Sequence, residues 1–256
     1  MNITDTHTHL YLPDFDADRE ALLARAQENG VHHFYMPNID RHSVDIVLNT
    51  AKRYEMCYPM MGLHPCSVKN DFESELKFIE PFLTGTRCKA VGEIGIDLYW
   101  DKSHFDQQKE AFRIQCGWAV KHQLPVVIHT RNSFSETVAL LKEMKEKPRG
   151  IFHCFGGSIP DAELVIGMGF MIGIGGVLTF KNSGLDKVVA AIGLEHMVLE
   201  TDSPYLAPAP HRGKRNLPEY IRIVAEKVAA IKNISVDEAA AQTSLSAVKL
   251  FSSKAH

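Results

Sequence analysis

Short apolar runs alternate with longer amphipathic ones eight times along this chain, and few folds accept that pattern. The strand-like runs fall at 3–9, 31–36, 56–63, 88–94, 124–128, 150–152, 170–174 and 196–199. Helix-like segments lie between them at 16–29, 43–54, 72–83, 105–122, 135–145, 161–168 and 184–192, and two more, 218–231 and 236–251, close the chain. In the first helix the apolar positions at helical spacing are Ala17, Ala21, Leu22 and Ala24, and Gly30 ends it. Strands apolar on both faces belong in a parallel sheet covered by helices. Eight such units favour an α/β barrel of the TIM type, (β/α)8, over an open doubly wound sheet, and 256 residues suits one. No Gly-x-Gly-x-x-Gly follows an early strand, which argues against a dinucleotide fold. With no repeat or linker, residues 1–256 read as a single domain.

The totals exclude some functions. A net charge of −3 carries no footprint of a dedicated nucleic-acid binder, so a polyanionic substrate needs local positive charge. Five cysteines without a Cys-x-x-Cys pair read as reduced thiols in a cytoplasmic protein. No signal peptide is visible, because Asp5 and two histidines interrupt the start. The uncharged stretch 164–180 approaches membrane-spanning length, but its glycines and the Pro160-Asp161 start just upstream read as a short helix followed by a buried strand. No membrane contact and no obligate protein partner are expected.

The chemistry collects where strands end. The first strand carries His7 and His9, two residues apart and so on one face. In the fourth, Glu93 interrupts an apolar run, and a buried carboxylate must be paired or bind a cation. The fifth ends in His129, the sixth in His153, and the eighth in Glu200-Thr201-Asp202. A single histidine after a strand is more often a hydrogen-bonded core residue. Four imidazoles and two carboxylates delivered to the barrel end where active sites form are a metal site. Six ligands exceed the three that one catalytic zinc takes, so two divalent ions are expected. Glu93 is the expected bridge; His7, His9 and Asp202 complete one ion, and His129 and His153 the other.

Asp5-Thr6-His7-Thr8-His9, Gly62-Leu63-His64-Pro65, Gly92-Glu93-Ile94-Gly95-Ile96-Asp97, His129-Thr130-Arg131, His153-Cys154-Phe155 and Glu200-Thr201-Asp202-Ser203-Pro204-Tyr205-Leu206 together resemble the TatD family of metal-dependent hydrolases. The resemblance runs from Thr4 to about Asn216. It implies a TIM-type barrel, two divalent ions and nuclease activity, commonly 3′-to-5′ exonuclease action on DNA. Two departures bear on loop placement and substrate preference. Leu217 stands where the family usually has Glu, and 243–246 lacks an expected asparagine.

A water shared by two ions falls from pKa 15.7 toward about 7 and attacks a phosphodiester as hydroxide. Asp202 accepts its proton. His64 either binds the scissile phosphate or protonates the leaving oxygen. Arg131 and Arg212 sit on loops at the same end, where a guanidinium fork fits phosphate oxygens. Glu200 reads either as the group orienting a ligand imidazole or as a surface carboxylate. Oxygen ligands favour Mg²⁺ or Mn²⁺, imidazoles Zn²⁺. Single-stranded DNA is the expected substrate, with RNA a further candidate. An ester or amide hydrolase of the amidohydrolase type, including one acting on aminoacyl-tRNA, is the alternative.

Overall fold

The computed structural model of the chain describes residues 1–252. Among them, eight strands alternate with helices. The strands are β1 (Ile3–Asp5), β2 (Val31–Pro37), β3 (Cys57–Met60), β4 (Val91–Asp97), β5 (Val126–Arg131), β6 (Gly150–Phe152), β7 (Phe170–Ile174) and β8 (Met197–Leu199). The helices are α1 (Arg19–Glu28), α2 (Arg41–Arg53), α3 (Phe72–Ile79), α4 (Phe105–His122), α5 (Phe134–Glu143), α6 (Ile159–Gly167), α7 (Leu185–Ala191), α8 (Ile221–Lys232) and α9 (Val236–Ser252). The chain forms two compact units, one of Met1–Met36 with Cys154–Leu250, the other built on Pro37–His153.

In the first unit β1 pairs in parallel with β2, Ile3 opposite Val31 and Asp5 opposite Phe34. On its other side Thr6 N–H donates to Leu199 O of β8, and β8 pairs in parallel with β7. The core there includes Ile3, Phe34, Ile172 and Val198, all fully buried. In the second unit β4 pairs with β5 and β5 with β6, all parallel, and Met61 just past β3 bridges to Val91. β4 and β6 are buried along their whole length on both faces, as a parallel sheet covered by helices demands.

Expected boundaries moved for identifiable reasons. β1 ends at Asp5, so His7 and His9 lie beyond it; Thr8 N–H still donates to Tyr35 O and His9 N–H to Ser203 O, which holds the stretch. β4 runs to Asp97 although its glycines resemble strand breakers. Gly95, at φ +147°, lies so close to the His129 carbonyl that a Cβ would collide with it. β5 continues through polar Thr130 and Arg131, which pair with Ile96 and Asp97. In α1 the buried face is Leu22, Leu23 and Ala26; Ala21 and Ala24 are exposed, as is Ala17 just before the helix. Two leucines hide more apolar surface than a stripe of alanines, and the helix turns accordingly. The stretch 164–180 comprises the end of α6, β7 and a 3₁₀ turn, and among the described residues no helix is long and apolar enough to cross a membrane.

Candidate metal centre

In the first unit the chain beyond β1 brings His7 and His9 together with Asp202. Their Nε2 atoms face each other at 3.3 Å, and Asp202 Oδ1 lies 3.6 Å from the first and 3.4 Å from the second. The point equidistant from three atoms so spaced is about 2.0 Å from each, which is the bond length of a first-row divalent ion to imidazole or carboxylate. Asp202 reaches this position through a left-handed backbone, φ +57°, a conformation Asp tolerates better than most residues, and its N–H donates to His7 O. Below the pair, buried Asp5 accepts from His7 N, Thr201 N and the Thr201 hydroxyl. Burial pushes the Asp5 carboxyl up to about 8 against the pull of those hydrogen bonds.

Glu200 is buried, not a surface carboxylate. Its Oε1 accepts from Cys154 N at 2.5 Å, and its carboxylate occupies the space a Cβ at Gly173 would need. Arg212 lies over the Phe180 ring at 4.4 Å and lines a cavity of about 520 Å³ with Lys181 and Thr179.

In the second unit imidazoles gather around one oxygen. Glu93 Oε1 lies 2.9 Å from His129 Nδ1, 3.5 Å from His64 Nε2 and 3.7 Å from His153 Nε2, and Glu93 is almost wholly buried. The facing atoms of His64, Glu93 and His129 all lie within 4.8 Å of one another. Tautomers divide the work. His64 Nδ1 accepts from Cys66 N at 3.1 Å, so its proton sits on Nε2 and it presents an N–H donor rather than a ligand lone pair. His129 has a carboxylate oxygen at each ring nitrogen. Its Nε2–H donates to Asp97 Oδ2 at 2.9 Å, turning Nδ1 toward Glu93, as a carboxylate behind a metal-bound imidazole does.

Burial disfavours a charged imidazole at both positions, yet carboxylates prevail. Glu93 holds His64 above its usual value, and Asp97 and Glu93 do the same for His129. Burial likewise works against an ionised Asp97, and it is outweighed by hydrogen bonds from His129, Trp100 N and Tyr99 N, which hold its carboxyl below the usual range. A metal ion held by His129 Nδ1 would take the place of a proton there. Imidazole nitrogens and carboxylate oxygens at these separations fit divalent metals in both units. Asp97 and Asp5 were visible within the sequence motifs, but their roles depend on contacts that spacing does not reveal.

Solved structures with the same fold include YjjV, a TatD homolog from Escherichia coli K12, with a TM-score of 0.92, 30% identity and 98% of each chain covered. An uncharacterized amidohydrolase from Saccharomyces cerevisiae shares the fold at 20% identity, with a TM-score of 0.79 over 98% of this chain and 100% of the other. The fold is thus the α/β TIM-type barrel of metal-dependent hydrolases, and each unit holds donor atoms close enough to bind a metal ion. Residues 4–252 match the family described as TatD related DNase, and the chain belongs to that family. A metal-dependent hydrolase of Bacillus subtilis, YabD, itself uncharacterized, is 37% identical over 96% of this chain and 98% of its own. The 3′-5′ ssDNA/RNA exonuclease TatD of Erwinia tasmaniensis is 28% identical over 96% and 98%.

Side chains beside both departures from the family pattern tie their segments down. Asn216, fully buried, donates to Thr201 O and Tyr205 O and accepts from Leu217 N, which fixes the loop without a glutamate at 217. Ser244 accepts from Thr4 N and donates to Asn2 O, tying α9 to β1.

Proposed function

We propose that this protein is a phosphodiester hydrolase acting as a 3′-to-5′ exonuclease on single-stranded DNA ends, using two divalent ions held by His7, His9, Asp202, Glu93, His129 and His153 within one catalytic domain. The triangle of His7, His9 and Asp202 donors carries the metal assignment, and the exonuclease relative from Erwinia supports the substrate class. Bound divalent cations supply an activated water and neutralise charge on the phosphate oxygens. Asp202 accepts the hydrogen bond of the attacking water and takes its proton. Through the tautomer that Cys66 imposes, His64 directs an N–H at the scissile phosphate or the leaving oxygen. His129 and Glu93 keep their orientation because Asp97 holds the imidazole from behind.

The test is incubation of purified protein with Mg²⁺, Mn²⁺ or Zn²⁺ and an end-labelled single-stranded oligonucleotide, with metal content measured in parallel. A ladder shortening from the 3′ end is expected, and it disappears in Asp202→Asn while metal content stays. An unchanged rate in Asp202→Asn removes that residue from the mechanism. Hydrolysis of a carboxylic ester or amide in place of the oligonucleotide overturns the nuclease reading.

A further inference from the structure

Just past β4 in the second unit, Tyr99 and Trp100 are 53% and 69% exposed, and Trp100 is the most exposed large hydrophobic residue described. Their rings meet edge to face at 4.9 Å, and the Arg131 guanidinium at the end of β5 lies 3.9 Å from the Tyr99 ring centre and 5.2 Å from that of Trp100. What sets this spot apart is two large rings in contact and both exposed, with a cation against them.

The loop that carries these rings is held firmly. Asp97 Oδ1 accepts from Tyr99 N at 2.8 Å and Trp100 N at 3.0 Å. Buried Gln108 of α4 accepts from Asp97 N and donates to the carbonyls of Asp97 and Asp101. Leu98 N–H donates to Arg131 O, binding the loop to the strand that carries the cation. The other oxygen of Asp97 holds His129, so the rings stand one carboxylate away from a proposed metal ligand.

We propose that Tyr99, Trp100 and Arg131 form a stacking platform for an unpaired nucleobase of a single-stranded substrate, with Arg131 serving the adjoining phosphate. The proposal rests on the nuclease reading. Every base offers a π-face, so aromatic stacking grips a strand without selecting its sequence. A cation among the rings suits a polyanion, as a purely apolar partner surface would not. Bases in a duplex already stack on their neighbours, so the platform selects for single strands.

Steady-state hydrolysis of a short single-stranded oligonucleotide by the metal-loaded protein gives the test. Trp100→Ala is expected to raise KM about tenfold, the loss typical of one stacked base, with kcat within about twofold. Trp100→Phe restores most of that loss. In the unaltered protein, abasic residues in place of the 3′-terminal bases raise KM by a similar factor, and they add nothing further in Trp100→Ala. Trp118 is buried, so quenching of tryptophan emission by an oligonucleotide reports on Trp100 and vanishes in Trp100→Phe.

Cleavage with KM unchanged in both Trp100→Ala and Tyr99→Ala, or an abasic strand bound as well as an intact one, overturns the platform and leaves the nuclease reading standing. No cleavage of any oligonucleotide beside turnover of a carboxylic ester overturns both. Self-association abolished by Trp100→Ala assigns the rings to a second copy of the chain and overturns the proposal as well.

Discussion

The two donor sets solve one problem in opposite ways. In the first unit His7, His9 and Asp202 stand around a common centre, about 2.0 Å from each, with one carboxylate among two imidazoles. In the second, three imidazoles converge on a single Glu93 oxygen, and a further carboxylate, Asp97, grips His129 from its far side. Buried charge explains the contrast. Asp202 keeps some contact with solvent, whereas Glu93 is buried and must be neutralised by whatever faces it. The first set is therefore shaped by geometry, the second by charge balance.

Removing charge without changing shape breaks the comparison most directly. Glu93→Gln leaves three imidazoles with no anion between them and is expected to lower oligonucleotide hydrolysis by about 10²–10³-fold or more, with loss of bound metal, as read by product ladders and elemental analysis. Asp97→Asn acts one step behind the ligand. It leaves every donor in place but weakens the hold on the His129 tautomer, and a loss of about 10–100-fold in metal affinity or activity is expected by metal titration.

The smallest effect belongs to a contact that serves neither set. Arg215 reaches Asp18 at 2.5 Å from the loop after β8 and also donates to the Asp14 carbonyl. Arg215→Ala is expected to lower stability by at most about 1 kcal/mol in urea melts at neutral pH, since both side chains are partly exposed. The Arg215 hydrogen bond depresses the Asp18 carboxyl, so the contribution is present above the ordinary carboxylate pKa and lost as pH falls through the lower folded value. The difference between variant and parent should therefore fade in acid.

Much of the architecture could be read from the chain alone. α4, β6 and β7 coincide with their expected limits because their apolar patterns are bounded by clear stops. Glu93 and the histidines were legible because a titratable side chain after an apolar run is chemically out of place. In α1 Leu22 is buried as its spacing predicts, but the alanines of the same set are exposed because alanine spacing carries little energy beside two leucines. The role of Asp97 was hidden for another reason: it depends on contacts with Tyr99, Trp100 and His129, two of them local and one 32 positions away. Exposure of Trp100 is likewise a property of the folded surface, which a hydropathy pattern does not encode.

Asp97 has one oxygen on the imidazole and the other on the aromatic loop, and this restricts how the protein could be re-engineered. On the proposed reading, a mutant library at positions 99, 100 and 131 retunes how a strand is gripped and leaves Glu93 and His129 untouched. Varying position 97 disturbs both properties at once, so directed evolution toward new substrates has little room to move there.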